Sequence, residues 1–274
     1  MTTIHFAKEA GCTTATKEPS PEAILNNVIT HDQAKLIFPK DPTRAQDEMA
    51  QQAQRIVADL TAARHDRDQP RAAELTSRLN ELQLSLSDNA QARRPDVYLV
   101  ASNGQERILD VTVVHPTSPS YINATNRFLI KLRVEDERAR ITCTANRMLH
   151  QPTPRVASAV AHKNTKYAPL VHLAALLKQH GLRSQTPKFL ACAATHEGEL
   201  SPSTFELIEW LTTLYKKKCS AEIAAAPRPD GRRLDQLTAS FRTRLKDAIA
   251  VTIVKGFGAM LAATAAGAAL SSGY

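Results

Sequence analysis

Cysteine is scarce in this chain, and its four occurrences lie far apart, at Cys12, Cys143, Cys192 and Cys219. None belongs to a Cys-x-x-Cys pair or has a histidine at zinc-finger spacing, so we expect no structural zinc site. Isolated thiols of this kind are typical of a reducing compartment. The sequence also lacks a Walker loop, a Gly-x-Gly-x-x-Gly loop and a Ser/His/Asp order. Residues 1–21 lack the apolar core that a signal peptide needs, so we expect no signal peptide.

Basic residues outnumber acidic ones: 35 Lys and Arg against 27 Asp and Glu give a net charge of +8. Such a surplus favours a polyanionic partner, usually nucleic acid, or an anionic membrane surface. The basic residues occur in short clusters, which are equally typical of solvated helix faces. Charge alone therefore does not establish a nucleic-acid partner.

Apolar periodicity and breaker residues predict an α/β chain. Residues 249–270 contain one charge and are long enough to span a bilayer. Small residues dominate this segment, so we expect a packed helix rather than a membrane anchor. The predicted helices are one ending at Gly11, a helical hairpin over about 43–88, and further helices over 134–149, over 156–180 with Pro169 inside, from Ser201 or Ser203, and from Leu234 onward. The predicted strands are 12–18, 95–101, 106–114 and 189–194.

Two carboxylates lie in the clearest pair of strands. Asp96 follows Arg94-Pro95 at the start of the first, and Asp110 lies inside the apolar run Leu109-Asp110-Val111 of the second. Burying Asp110 costs on the order of several kcal/mol unless a metal or a donor meets it. Two adjacent carboxylates also raise each other's pKa, and a divalent cation relieves that repulsion. The pattern indicates a Mg²⁺ site for cutting a phosphodiester.

The turn between these strands decides whether that site is possible. The Asn-Gly pair favours a two-residue turn over 103–104, which would set Val97 opposite Asp110 and direct the two aspartates to opposite faces of the sheet. A three-residue loop over 102–104, or a bulge, instead sets Asp96 opposite Asp110. The metal site requires the second register.

The order helix, strand, two-strand hairpin, helix, strand, with Pro-Asp on one strand and an acid inside the next, resembles the core of PD-(D/E)xK nucleases. In that family a lysine stands two residues after the second acid, where this chain has Thr112. The restriction-like endonuclease domain of site-specific non-LTR retrotransposons resembles the chain more closely. That domain pairs Arg/Lys-Pro-Asp with a later Asp and carries Lys-x-x-Lys-Tyr on the following helix, as in Arg94-Pro95-Asp96, Asp110 and Lys163-Asn164-Thr165-Lys166-Tyr167.

The resemblance implies a mixed central sheet flanked by helices over residues 1–200, with the helical hairpin as an insertion, and a C-terminal helical extension over 201–274. It also implies roles for individual residues. Asp96, Asp110 and the Val111 carbonyl would hold Mg²⁺, and Lys163 or Lys166 would orient the attacking water and offset the developing charge. Helical spacing places Lys163 on the apolar side of its helix and Lys166 at the border of that side.

The implied partner is double-stranded DNA, with Arg93 and Arg94 as candidate phosphate contacts and no small-molecule cofactor. The implied activity is nicking of target DNA before reverse transcription, which predicts a nuclear location. No reverse transcriptase lies in these 274 residues, so the alternative is a catalytically inactive remnant that binds DNA or another partner. Glu18 is a further candidate acid, His115 a weaker candidate base, and Tyr167 is expected in the core.

Overall fold

The computed structural model describes residues 2–40, 42–84, 91–114, 153–195, 199–225 and 231–271. The predicted helix over 134–149 and the candidate base His115 lie outside these ranges. The helices are α1 Thr2–Glu9, α2 Pro21–Ile24, α3 His31–Ile37, α4 Arg44–His65, α5 Gln69–Gln83, α6 Pro154–Gln179, α7 Pro202–Ala224 and α8 Gly231–Ser271. The strands are β1 Cys12–Lys17, β2 Val97–Ala101, β3 Glu106–Val114 and β4 Lys188–Thr195.

The four strands form one mixed sheet in the order β1-β2-β3-β4, flanked by helices. β-Branched and aromatic residues populate its central strands, as their propensity predicts. β2 pairs antiparallel with both β1 and β3, so the strand after the first helix lies beside the hairpin. The predicted mixed α/β class is confirmed.

The loop between β2 and β3 has three residues, so the two-residue turn predicted from the Asn-Gly pair is wrong. Val100 pairs with Glu106 and Val97 pairs with Leu109. The Ala101 N–H donates to the Gln105 carbonyl at 2.8 Å, which closes the loop over 102–104. This is the register that the metal-site hypothesis requires.

Gly104 is expected to stabilise this loop, because it holds a left-handed φ of +79° that costs other residues about 1–2 kcal/mol. A Cβ at this position would meet only the Gln185 side chain at 4.0 Å, so strain rather than a clash sets the cost. Gly104→Ala should therefore lower the free energy of unfolding by about 1–2 kcal/mol in urea titrations. Ser102→Ala, at an exposed position of the same loop, should change it by less than about 0.5 kcal/mol. Equal stability of the two variants would contradict the loop conformation.

The predicted helical hairpin is confirmed as α4 and α5, and a capping side chain precedes each helix. Thr43 accepts a hydrogen bond from the Gln46 N–H in a capping box at the start of α4. Asp68 accepts from the Arg71 N–H at 3.1 Å at the start of α5. The apolar faces of both helices are buried in a core that includes Ile56, Leu79 and Leu177.

The chain divides into two compact units. Unit 1 comprises Met1–Gly11, Asp110–Lys163 and Leu190–Tyr274, and unit 2 comprises Cys12–Leu109 and Asn164–Phe189. In unit 1, α8 packs against α1 and α7, and the Phe241 ring stacks on Tyr215 with 4.2 Å between ring centroids. The boundaries predicted from the resemblance, 1–200 and 201–274, stay a prediction.

Three further helix predictions have outcomes in the structure. Ser201 caps α7 by accepting from the Thr204 N–H, as predicted. Pro169 lies inside α6, as predicted, and the helix continues through it although proline lacks the N–H that a helix interior uses. None of the helices in the described ranges has the length and apolar content needed to cross a membrane.

Candidate nucleic-acid interface and metal-binding residues

A basic cleft of about 490 Å³ opens on unit 2 beside the start of β2. Five Lys or Arg side chains and two carboxylates line it. Its lining residues are Glu18, His31, Lys35, Lys40, Gln91, Ala92, Arg93, Arg94, Asp96 and Lys166. Four predicted site residues, Arg93, Arg94, Asp96 and Lys166, therefore share one cavity.

Backbone pairing places the Arg-Pro-Asp segment at this cleft. Pro39 and Ala92 form an antiparallel bridge, the Arg93 N–H donates to the Phe38 carbonyl at 2.6 Å, and the Lys40 N–H donates to the Gln91 carbonyl at 3.0 Å. The residues just after α3 and those just before β2 thus form one wall, although the helical hairpin separates them in sequence.

The two acidic residues of the cleft lie directly after β1 and directly before β2, where their backbones are hydrogen-bonded. The Glu18 N–H donates to the Asp96 carbonyl at 2.8 Å, and the Asp96 N–H donates to the Leu109 carbonyl at 3.0 Å. Glu18 has a left-handed φ of +48°, which is uncommon outside glycine, and its exposed carboxylate lies 3.3 Å from the Lys17 amine. Backbone strain of this kind often occurs at functional sites, so Glu18 remains a candidate acid next to Asp96.

The Lys-x-x-Lys-Tyr segment is joined to the Arg-Pro-Asp segment by two hydrogen bonds within unit 2. The Arg93 guanidinium donates to the Lys166 carbonyl at 2.7 Å, and the Tyr167 hydroxyl donates to the Arg94 carbonyl at 2.8 Å. Tyr167 is 2% exposed, which confirms the core role predicted for it. These contacts fix Arg93 and Arg94 relative to Lys166.

Asp110 and Lys163 lie in unit 1 and form an ion pair between Asp110 Oδ2 and Lys163 Nζ. The Asp110 residue is only 3% exposed, while the Lys163 side chain retains 20% exposure. A buried carboxylate needs such a cation, and Asp110 finds it in Lys163 of α6. Val111, the candidate carbonyl ligand, follows Asp110 and is 49% exposed.

His31, which lines the cleft, contacts Glu22, whose carboxylate lies 2.8 Å from the imidazole Nδ1. Burial raises the pKa of Glu22, but hydrogen bonds from His31, from the Glu22 backbone and from Ser20 outweigh it and lower the pKa from the ordinary 4.5. Stabilisation from this carboxylate is therefore present above pH 4.5 and is lost as the pH falls through the lowered pKa.

Glu22→Gln should lower the free energy of unfolding by about 1–2 kcal/mol at pH 6, because it removes the charge from this hydrogen bond. The deficit should be smaller at pH 3, because the stabilisation from the wild-type carboxylate is lost as the pH falls below 4.5 and through its lowered pKa. Thermal melts of both proteins at the two pH values measure the difference. A deficit that stays constant between pH 6 and pH 3 would contradict the lowered pKa.

The sequence patterns missed Lys35 and Lys40, which are isolated lysines rather than members of a basic cluster. Three residues from short basic clusters elsewhere in the sequence instead form ion pairs: Lys216 with Asp235, Arg242 with Glu209, and Arg244 with Glu9. The backbone pairing of residues 38–40 with 91–93 places Lys40 near Arg93. Neither segment has a sequence pattern that predicts this pairing.

No group of three or more His, Cys, Asp or Glu side chains gathers into a metal-binding cluster within the described ranges. Comparison of the chain with protein-family models, curated proteins and solved structures gives no match.

Proposed function

We propose that this chain is a Mg²⁺-dependent endonuclease that nicks double-stranded DNA, with a PD-(D/E)xK core like that of the restriction-like domain of non-LTR retrotransposons. The observation that carries the proposal is the three-residue loop between β2 and β3, whose register pairs Val97 with Leu109. In that register, the alternation of side chains along the strands assigns residues 96 and 110 to the same face of the sheet. Two carboxylates can share one metal ion only if they lie on the same face.

The donor set fits magnesium. Mg²⁺ prefers oxygen ligands and is usually bound through one or two carboxylates together with water and substrate phosphates, rather than by a complete protein cage. Asp96, Asp110 and the Val111 carbonyl would hold it. When bound, the ion polarises a phosphate oxygen and lowers the pKa of the attacking water.

The protein's own cations would position the phosphodiester. Lys166 and the two arginines of the cleft supply positive charge around Asp96, and positive groups stabilise the charge that develops on a phosphate during hydrolysis. Lys163 holds the Asp110 carboxylate through the ion pair, which makes it the positioning lysine and favours Lys166 as the lysine that meets the phosphate.

The second candidate function is DNA binding without cleavage. Thr112 occupies the position at which PD-(D/E)xK nucleases carry a lysine. The Asp110–Lys163 ion pair also neutralises the buried carboxylate without a metal. A remnant that had lost catalysis would retain both features together with the basic cleft. If the chain is an endonuclease, we propose that it nicks target DNA before reverse transcription and that it acts in the nucleus.

The test is conversion of supercoiled plasmid to open circles in Mg²⁺ and in EDTA, with the wild-type chain and Asp110→Asn. Nicking that needs Mg²⁺ and Asp110 supports the endonuclease. Plasmid binding without nicking by the wild type supports the remnant.

A further inference from the structure

The basic cleft of unit 2 has more positive charge than the two arginines singled out in the sequence provide. Lys35 and Lys40 line it with Arg93, Arg94 and Lys166, against the carboxylates of Glu18 and Asp96. Five fixed cations in one cavity repel each other, and a bound polyanion relieves that repulsion. The cleft is therefore suited to a ligand with several negative charges.

Lys35 and Lys40 belong to the α3 side of the cleft. The Lys35 amine lies 2.9 Å from Asp32, whose side chain is 56% exposed, and the Lys40 amine donates to the Gln91 side chain at 3.4 Å. An ammonium group has three donors, so each lysine keeps donors for a ligand while its present partner restrains it. Backbone pairing with residues 91–93 fixes Lys40 close to Arg93 and Arg94.

The cleft also lacks large aromatic side chains on which bases could stack. Its lining includes no Phe, Tyr or Trp, whereas proteins that hold unstacked bases use such rings as stacking platforms. Lysine and arginine side chains recognise phosphate through charge and carry no sequence information in doing so. The ligand chemistry that matches the lining is a run of phosphodiesters.

We infer that the basic cleft binds the sugar-phosphate backbone of DNA and that Lys35 and Lys40 contact its phosphates. The inference rests on the proposed function for the identity of the substrate. It adds the α3 segment, which precedes the helical hairpin, to the DNA-binding surface. Binding through this surface is independent of base sequence.

The experiment measures binding apart from cleavage. Fluorescence anisotropy with a labelled 25-base-pair duplex in EDTA gives the Kd of the full chain at several salt concentrations. Lys35→Gln/Lys40→Gln is compared with Lys8→Gln/Lys178→Gln, which removes the same charge at exposed positions outside the cleft. Circular dichroism melts show whether each variant folds.

Two lost phosphate contacts should weaken Kd roughly ten- to thirtyfold at 0.15 M salt and reduce the slope of log K against log salt by about 2. The control pair should change Kd by less than about twofold, and two duplexes of unrelated sequence should give the same result. Equal weakening by both variants, an unchanged salt slope, or weakening on one duplex sequence alone would overturn the inference. Failure of the wild type to nick plasmid would count against the endonuclease and leave this binding result standing.

Discussion

Asp110→Asn is expected to lower Mg²⁺-dependent nicking of supercoiled plasmid by about a thousandfold or more. The substitution keeps the shape of the side chain and removes the negative charge that a divalent cation needs. Metal binding contributes several kcal/mol to phosphodiester hydrolysis, and each 1.4 kcal/mol corresponds to a factor of ten in rate, so a loss of about 4 kcal/mol gives this factor. Initial rates of open-circle formation measure it.

Stability does not explain such a loss. Lys163 is 20% exposed, so its amine can turn to water when Asp110 loses its charge, and the variant should stay folded. Asp59→Asn, at an exposed carboxylate on α4, is the matched control and should nick like the wild type. Equal rates for Asp110→Asn and the wild type would exclude the proposed site.

The hairpin carries the clearest contrast between what the sequence predicts and what it does not. Apolar patterning predicted both strands within two residues of their observed ends. The loop register was ambiguous, because Asn-Gly suits a two-residue turn and a glycine also suits the last position of a three-residue loop. In the structure Gly104 takes that last position, with φ +79° and its N–H bonded to the Ala101 carbonyl at 2.9 Å.

Local signals also predicted the helical hairpin, because apolar periodicity and breaker residues act over a few neighbouring residues. The basic cleft was predictable only in part. Arg93, Arg94 and Asp96 are contiguous with a recognisable motif, whereas the bridge between Pro39 and Ala92 joins residues on opposite sides of the hairpin. Long-range pairing of this kind depends on tertiary packing and leaves no periodic trace in the sequence.

No sequence pattern pointed to Arg183, which follows Gly181 in the short connection before β4. Its side chain is 1% exposed and forms an ion pair with Glu106. It also donates to the Tyr98 hydroxyl at 2.9 Å and to the Gln185 carbonyl at 2.7 Å. Tyr98 lies on β2 and Glu106 on β3, so one guanidinium binds both strands of the hairpin that sets the register.

Arg183→Met is therefore expected to lower the free energy of unfolding by about 3–5 kcal/mol, the usual cost of leaving one partner of a buried ion pair uncompensated. The melting temperature should fall by roughly 10 °C for a chain of this size. Arg183→Lys should recover little of this loss, because a single ammonium cannot reproduce the planar fork that reaches several acceptors at once. Urea and thermal unfolding of the variants measure the differences.

A second substitution separates the buried charge from simple loss of packing. If the uncompensated Glu106 carboxylate causes most of the destabilisation, Arg183→Met/Glu106→Leu should be more stable than Arg183→Met alone, since apolar replacement of a whole buried pair is often neutral. If packing causes it, the two losses should add. A loss below about 1 kcal/mol for Arg183→Met would contradict the arrangement around the hairpin, and the register that depends on that hairpin would lose this support.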